Sequence, residues 1–178
     1  RSIEHAANGT IVSKHYYTYD AVNRRQRATL ADGSAWTYGY NDRDEVISGK
    51  RSWADFIPVA GQQHEYVYDT IGNRSSSKAG GDANGANLRS STYTPNALNQ
   101  YSSLTIPGAI DVLGAAYATA TVTVNGQATY RKGEYFRNEL SGNNSGTPVA
   151  QNVNVLATKG TNSTPTSGTV LVPPTYDW

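Results

Sequence analysis

The chain contains no cysteine. That excludes a disulfide framework and any thiolate metal site. Charge is scarce as well. Charged residues make up 16% of the 178 positions and the net charge is +1. No global field draws the chain to nucleic acid, and no basic run does so locally. There is no long hydrophobic run: no window approaches a membrane span, and no amino-terminal apolar segment has the form of a signal peptide. Hydrophobic residues are 37% of the total, low for a globular chain. Phenylalanine is nearly missing, with two residues against thirteen tyrosines. Tyrosine suits half-buried strands, where the ring packs and the hydroxyl meets water or a neighbour. The chain opens on Arg1 rather than methionine, which suggests a processed or excised piece of something longer.

What is present is a repeat, and repeats outrank single-residue motifs. Tyr19, Tyr40, Tyr68 and Pro95 can be set as position zero of four units, spaced 21, 28 and 27 residues apart. Two positions earlier stand Tyr17, Tyr38, Tyr66 and Tyr93. One position later stand Asp20, Asn41, Asp69 and Asn96. Three positions later come Val22, Ile71 and Leu98, with Arg43 as the exception. Four positions later come Asn23, Asp44, Gly72 and Asn99, types that tolerate a left-handed backbone. Each unit reads as an aromatic strand, an Asx-initiated turn and a new strand.

This grammar resembles the YD repeats of the RHS family, also present in the teneurins. The match is carried by Tyr17, Tyr19, Asp20, Asn23 and Arg24, and by Tyr66, Tyr68, Asp69, Gly72, Asn73 and Arg74. It covers residues 10 to 105 or so. The resemblance implies a bacterial protein at the cell surface or outside the cell, whose repeats build a sheet. RHS proteins often end their core with a self-cleaving aspartate motif before a variable toxin. No Asp-Pro dipeptide occurs here, and no toxin-like segment follows.

The expected organisation is all-β, in two parts. Residues 1–106 form antiparallel YD-repeat strands. Within them, residues 52–63 are expected to be a short loop packed on the sheet through Trp53, Phe56 and Ile57. Residues 75–87, rich in Ser, Gly, Ala and Asn, read as a mobile loop. Pro107-Gly108 marks a boundary, and 107–118 reads as a linker. Residues 119–173 then alternate in strand fashion around the hairpin signal Asn125-Gly126. This second stretch resembles the small Ig-like modules of bacterial extracellular proteins. The residues that carry the likeness are Val122, Val124, Asn125, Gly126, Phe136, Leu140, Gly142, Asn143, Val153, Val155 and Ala157. Such modules occur within RHS chains. Residues 174–178 are expected to be a tail or the start of a further segment, with Tyr176-Asp177 as the first residues of another unit.

Sites of chemistry are few. His15 and His64 both stand four residues before position zero, where the other units place Trp36 and Ser91. A position that accepts His, Trp or Ser is a packing position more simply than a metal ligand. Asp20 and Asp69 could be the carboxylate pair of a glycosidase. Their equivalents are Asn41 and Asn96, however, and turn capping explains all four. Asp42, Asp44 and Glu45 lack the spacing of a calcium loop. The glycines at 80–85 lack the Gly-Lys-Ser/Thr of a phosphate loop. Serine and threonine are abundant, without a convincing His/Asp partner set. No catalytic, cofactor-binding or metal residue is therefore assigned, and no cofactor is expected. Trp36 and Trp53 are the candidates for stacking on a sugar.

The function expected is that of a non-catalytic structural segment of an extracellular RHS-type protein. Its partners would be copies of itself in a filament or the rest of a larger RHS chain, with a polysaccharide as the partner if the segment is an adhesin, and a toxin-enclosing shell as a further setting.

Overall fold

The structure is a computed structural model that describes residues 1–177, with side chains as far as Pro174. It is all-β, its strands pair antiparallel, and the described residues contain no helix. Two compact units divide at Leu88 and Arg89. That division falls inside the repeat region rather than at residue 106.

The first unit is a meander of seven strands: β1 (Ser2–Ala7), β2 (Thr10–Tyr19), β3 (Arg25–Thr29), β4 (Ala35–Tyr40), β5 (Val46–Ser52), β6 (Pro58–Tyr68) and β7 (Arg74–Gly80). Each strand pairs with the next. The first part of the stretch 75–87, Ser75 to Gly80, is therefore strand, against the expectation of a mobile loop, and residues 81–87 hold the turn that follows it. The small side chains of β7 sit opposite β6, with Ser77 across from Tyr66 and Ala79 across from His64. Small residues leave room for the rings beside them, which composition alone cannot show. Residues 52–63 likewise hold the end of β5, a tight turn and the start of β6.

Alternation puts Trp36, Tyr38 and Tyr40 on one face of β4. Register then interleaves large and small residues across the sheet. Ala28 lies between Tyr17 and Trp36, and Gly49 lies between Tyr38 and His64. The apolar residues buried in this unit are Ala28, Ala35, Val59 and Ala60. Taken by itself, the unit has a thin core and depends on its ladders and turns.

The second unit opens on β8 (Leu88–Pro95) and β9 (Tyr101–Thr105), which pair as a hairpin. Seven strands follow: β10 (Ala109–Ala115), β11 (Thr121–Val124), β12 (Gln127–Ala128), β13 (Tyr130–Lys132), β14 (Tyr135–Ser141), β15 (Val149–Lys159) and β16 (Asn162–Val172). They form a sheet in the order β10-β14-β13 and another in the order β12-β11-β15-β16. The two sheets share an apolar cluster of Val122, Val124, Phe136 and Leu140, joined by Ile110, Val112, Val153, Val155 and Ala157. The chain then returns as β17 (Thr175–Asp177), which pairs with β9. Everything between β9 and β17 is thus an insert between neighbouring strands. Its two ends are held together by Asn144, which is 7% exposed and donates to the carbonyls of Ile106 and Pro173 at 2.9 and 2.8 Å. The backbone N–H of Ile106 donates to Pro174 O. Trp178, the end of the expected 174–178 tail, lies outside the described residues.

The stretch 107–118 is not a linker, because β10 occupies most of it and pairs along its length with β14. Ile110 and Val112 alternate into the cluster, and Gly114 faces the ring of Phe136. Gly114, inside the stretch expected to be a linker, is the space that a neighbouring ring fills. A Cβ at Gly114 would stand 2.5 Å from two carbons of that ring. Gly114→Ala is expected to lower stability by about 1–3 kcal/mol through overpacking. Gly168→Ala, where nothing lies within 4 Å of the added atom, should change stability by less than about 0.5 kcal/mol. Urea denaturation followed by the intensity of Tyr and Trp fluorescence distinguishes the two.

Candidate functional site

The most regular feature of the molecule is a hairpin turn made seven times. In each, the first residue accepts from the backbone N–H three residues on and donates to the carbonyl four residues on. The first residues are Asp20, Leu30, Asn41, Trp53, Asp69, Asp82 and Asn96. The fourth residue always has a positive φ: Asn23, Gly33, Asp44, Phe56, Gly72, Gly85 and Asn99. Asn, Asp and Gly adopt that conformation at low cost, and Phe56 does so against its preference.

The four turns that follow position zero share a finer chemistry. One side-chain oxygen accepts two backbone N–H groups. Asp20 takes those of Val22 and Arg24 at 3.1 and 2.8 Å. Asn41 takes those of Arg43 and Glu45, both at 3.0 Å. Asp69 takes Ile71 and Asn73, and Asn96 takes Leu98 and Gln100. The fifth residue then closes on the first with its side chain. Arg24 donates to Asp20, Asn73 donates to Asp69, Asn41 donates to Glu45, and Asn96 donates to Gln100. Where the first residue is a carboxylate the fifth is a donor. Where it is an amide the fifth offers an oxygen. Past each turn the ladder slips by one residue, so that Gln26, Ile47, Ser75 and Ser102 have no direct partner across the hairpin. Such bulges increase the local twist.

Arginines tie the turns of the first unit side by side. Arg24 reaches Asp44 at 2.7 Å. Arg43 pairs with Glu45 at 2.9 Å and donates to the carbonyls of Asp69 and Thr70. Burial pushes the Asp20 carboxyl up, but the backbone N–H and guanidinium of Arg24 outweigh it and hold the group below its ordinary value. Asp69 behaves alike, with Asn73, Ile71 and Gly72 as the opposing donors. Two of the three acidic residues considered for calcium serve this ladder: Asp44 holds Arg24, and Glu45 holds Asn41 and Arg43.

The position-zero tyrosines also act across strands. Tyr40 donates its hydroxyl to Arg25 O at 2.7 Å, and Tyr68 donates to Val46 O at 3.0 Å. His15 stacks on Tyr17, and His64 stacks between Trp36 and Tyr66. Tyr93 meets Tyr101 at 5.2 Å. Trp36 is half-buried under these contacts, and Trp53 opens a turn with the Arg51 guanidinium 6.0 Å from its ring. The structure thus places the two candidate sugar platforms on different elements, each covered by another side chain.

The turn at Leu30 is marked in the sequence by Asp32-Gly33, which closes the return strand ending at Leu30. Sequence reasoning missed the turns at Trp53 and Asp82, the second of which the Gly, Asp and Asn residues of 80–87 mark. Phe56 in a left-handed conformation carries no signal of that kind. It also missed Arg25, six positions after Tyr19, whose guanidinium lies 4.3 Å over the Tyr17 ring. Compared with known proteins, the chain matches no family model and no curated protein sequence.

Because the folded Asp69 carboxyl titrates below its ordinary value, the stability it adds is full above the unfolded value near about 4 and is lost as pH falls through the folded value. Asp69→Asn keeps the oxygen that caps the turn, as Asn41 and Asn96 do, but cannot titrate. Any advantage of the parent over this variant at neutral pH should therefore shrink on acidification below about pH 4. Asp69→Ala, which removes the oxygen, should be the less stable of the two variants at every pH. Thermal melts from neutral to acidic pH check both statements.

Proposed function

We propose that the chain is a non-catalytic structural segment of an extracellular RHS-type protein, in which YD-repeat strands form a sheet and an Ig-like module is set into it. The observation that supports this most is the placement of β17 beside β9. The meander takes up again after the insert as if the module stood where a hairpin turn would be. Tyr176 and Asp177, on the returning strand, have the sequence of a fifth position zero and its following aspartate. The seven like turns support the same reading, since a solenoid or shell is built by repeating one supersecondary unit.

The segment works by strand pairing. Its first strand, β1, is exposed along its whole length and pairs on one side only among the described residues. It carries neither lysine nor proline, the residues that commonly blunt an edge. Ile3, 52% exposed, lies in its middle. The strand that meets it belongs either to a further part of a larger RHS chain or to another copy in a filament. A polysaccharide partner is not supported by Trp36 and Trp53, both of which are engaged in packing.

Light scattering coupled to size-exclusion chromatography, with negative-stain microscopy, separates the two partners. Regular filaments that disperse in Ile3→Lys favour the copy. A monodisperse monomer at tens of micromolar removes the filament and leaves the larger chain. More than a fifth or so of helix by far-ultraviolet circular dichroism, against about 30–35% in ordinary proteins, would remove both.

A further inference from the structure

A shallow cleft of about 360 Å³ opens on the first unit. It is lined by Tyr19 of β2, Arg25 of β3, Tyr38 and Tyr40 of β4, and Val46 of β5. Three phenol rings and a valine make its walls mainly apolar at the ring faces and polar at the rims. Ligand sites commonly combine such walls with a few placed polar groups, in volumes of about 300–1,000 Å³. The Tyr40 hydroxyl is committed to Arg25 O, so that ring is fixed as a wall. The Tyr38 phenol is pushed up by burial, against the opposing pull of Arg25, and stays a neutral donor at physiological pH.

Arg25 sets the chemistry. Three arginines of the unit are paired, Arg24 with Asp20 and Asp44, Arg43 with Glu45 and Arg51 with Asp32, whereas Arg27, on the other face of the sheet, lies over the Phe56 ring. Arg25 is exposed, lies over the Tyr17 ring, and has no carboxylate in ion-pair reach among the described residues. A guanidinium cannot lose its proton to relieve this. Stacking covers one of its faces and leaves the donors on its edge for an anion. The cleft therefore joins a fixed positive fork to a set of aromatic faces.

We propose that this cleft binds a hexuronate residue of an acidic polysaccharide. The carboxylate is held by the Arg25 guanidinium in the two-bond geometry that suits a planar fork. The C–H face of the pyranose lies against the Tyr38 ring, between Tyr19 and Tyr40, whose own faces carry the guanidiniums of Arg1 and Arg24 at 5.7 and 4.9 Å from the ring centroids, and the Tyr38 hydroxyl serves a ring hydroxyl. A simple anion would use Arg25 and leave the Tyr38 ring without a partner. A neutral sugar would use that ring and leave the guanidinium without one. The uronate is the class that meets both. This site is separate from the β1 edge, so its success or failure is independent of how the chain assembles.

The test uses the whole chain and three probes: trigalacturonate, its methyl ester, and inorganic phosphate, followed by calorimetry and by amide chemical shifts. Trigalacturonate is expected to bind at least tenfold more tightly than the ester, to weaken as salt is raised, and to shift amides of Tyr38, Tyr40 and Val46. Arg25→Gln is expected to cost tenfold or more and to erase the difference between acid and ester. Arg27→Gln, on the strand position that faces the other side of the sheet and stacks on Phe56, should bind as the parent does. Arg25→Lys, with charge but no planar fork, should fall between, and circular dichroism checks that each variant keeps its strands. Equal affinity for acid and ester, binding that survives Arg25→Gln, or no binding at millimolar trigalacturonate overturns the proposal. Phosphate competing on equal terms with trigalacturonate overturns it too, by reducing the site to a general anion contact.

Discussion

One side-chain oxygen that accepts two backbone N–H groups is the device on which the rest of the first sheet depends. Asp20, Asn41 and Asp69 each close a loop of five residues this way. The turn it makes needs a left-handed fourth residue, and Asn23, Asp44 and Gly72 supply it. A bulge follows each of these three turns, and the bulge adds twist. Strand direction, register and curvature are thus set locally, hairpin by hairpin. A sheet whose buried apolar residues are mostly alanines has little else to set them, because area burial scales with side-chain size.

The charged residues act on top of this device rather than in place of it. Arg24 and Arg43 each start in one turn and end in the next. Exposed ion pairs are individually weak, but these also donate to backbone carbonyls and fix neighbouring turns at one end of the sheet. Tyr40 and Tyr68 do the same from the last position of their strands, each by one hydroxyl to the preceding strand. Arg25 stands outside this scheme, which is why the cleft beside it carries a proposal of its own. The insert of the second unit follows a different rule. It buries Val122, Val124, Phe136 and Leu140 between two small sheets. It is anchored by an asparagine rather than by a turn.

Much of this was legible in the chain. The all-β class follows from the Tyr-x-Tyr strands and the turn residues between them. The turn role of Asp20, Asn41, Asp69 and Asn96 follows from an aspartate and an asparagine sharing one position, since a shared backbone acceptor is what the two types have in common. The apolar partners of Phe136 could be picked out by alternation in Val122, Val124, Val153 and Val155. Other features were not legible. Ser75 to Gly80 has the composition of a flexible loop and the structure of a strand, because it lies opposite bulky rings. Gly114 lies in a stretch that reads as a linker and is a fitted contact.

The sequence by itself determined where the four position-zero units turn, because turning there depends on the φ tolerance and side-chain oxygens of a few consecutive residues. It also determined which strand face is aromatic, because that is a matter of period two. Only the tertiary structure decided which residues share a row across the sheet, since a bulge shifts every later pairing by one. It decided that Arg25 lies over Tyr17 while Arg24 turns to Asp20 and Asp44, a difference that adjacent arginines do not show in one dimension. It decided that β9 and β17 are neighbours across the whole insert, because strand pairing is a contact between backbones whose separation along the chain leaves no local mark.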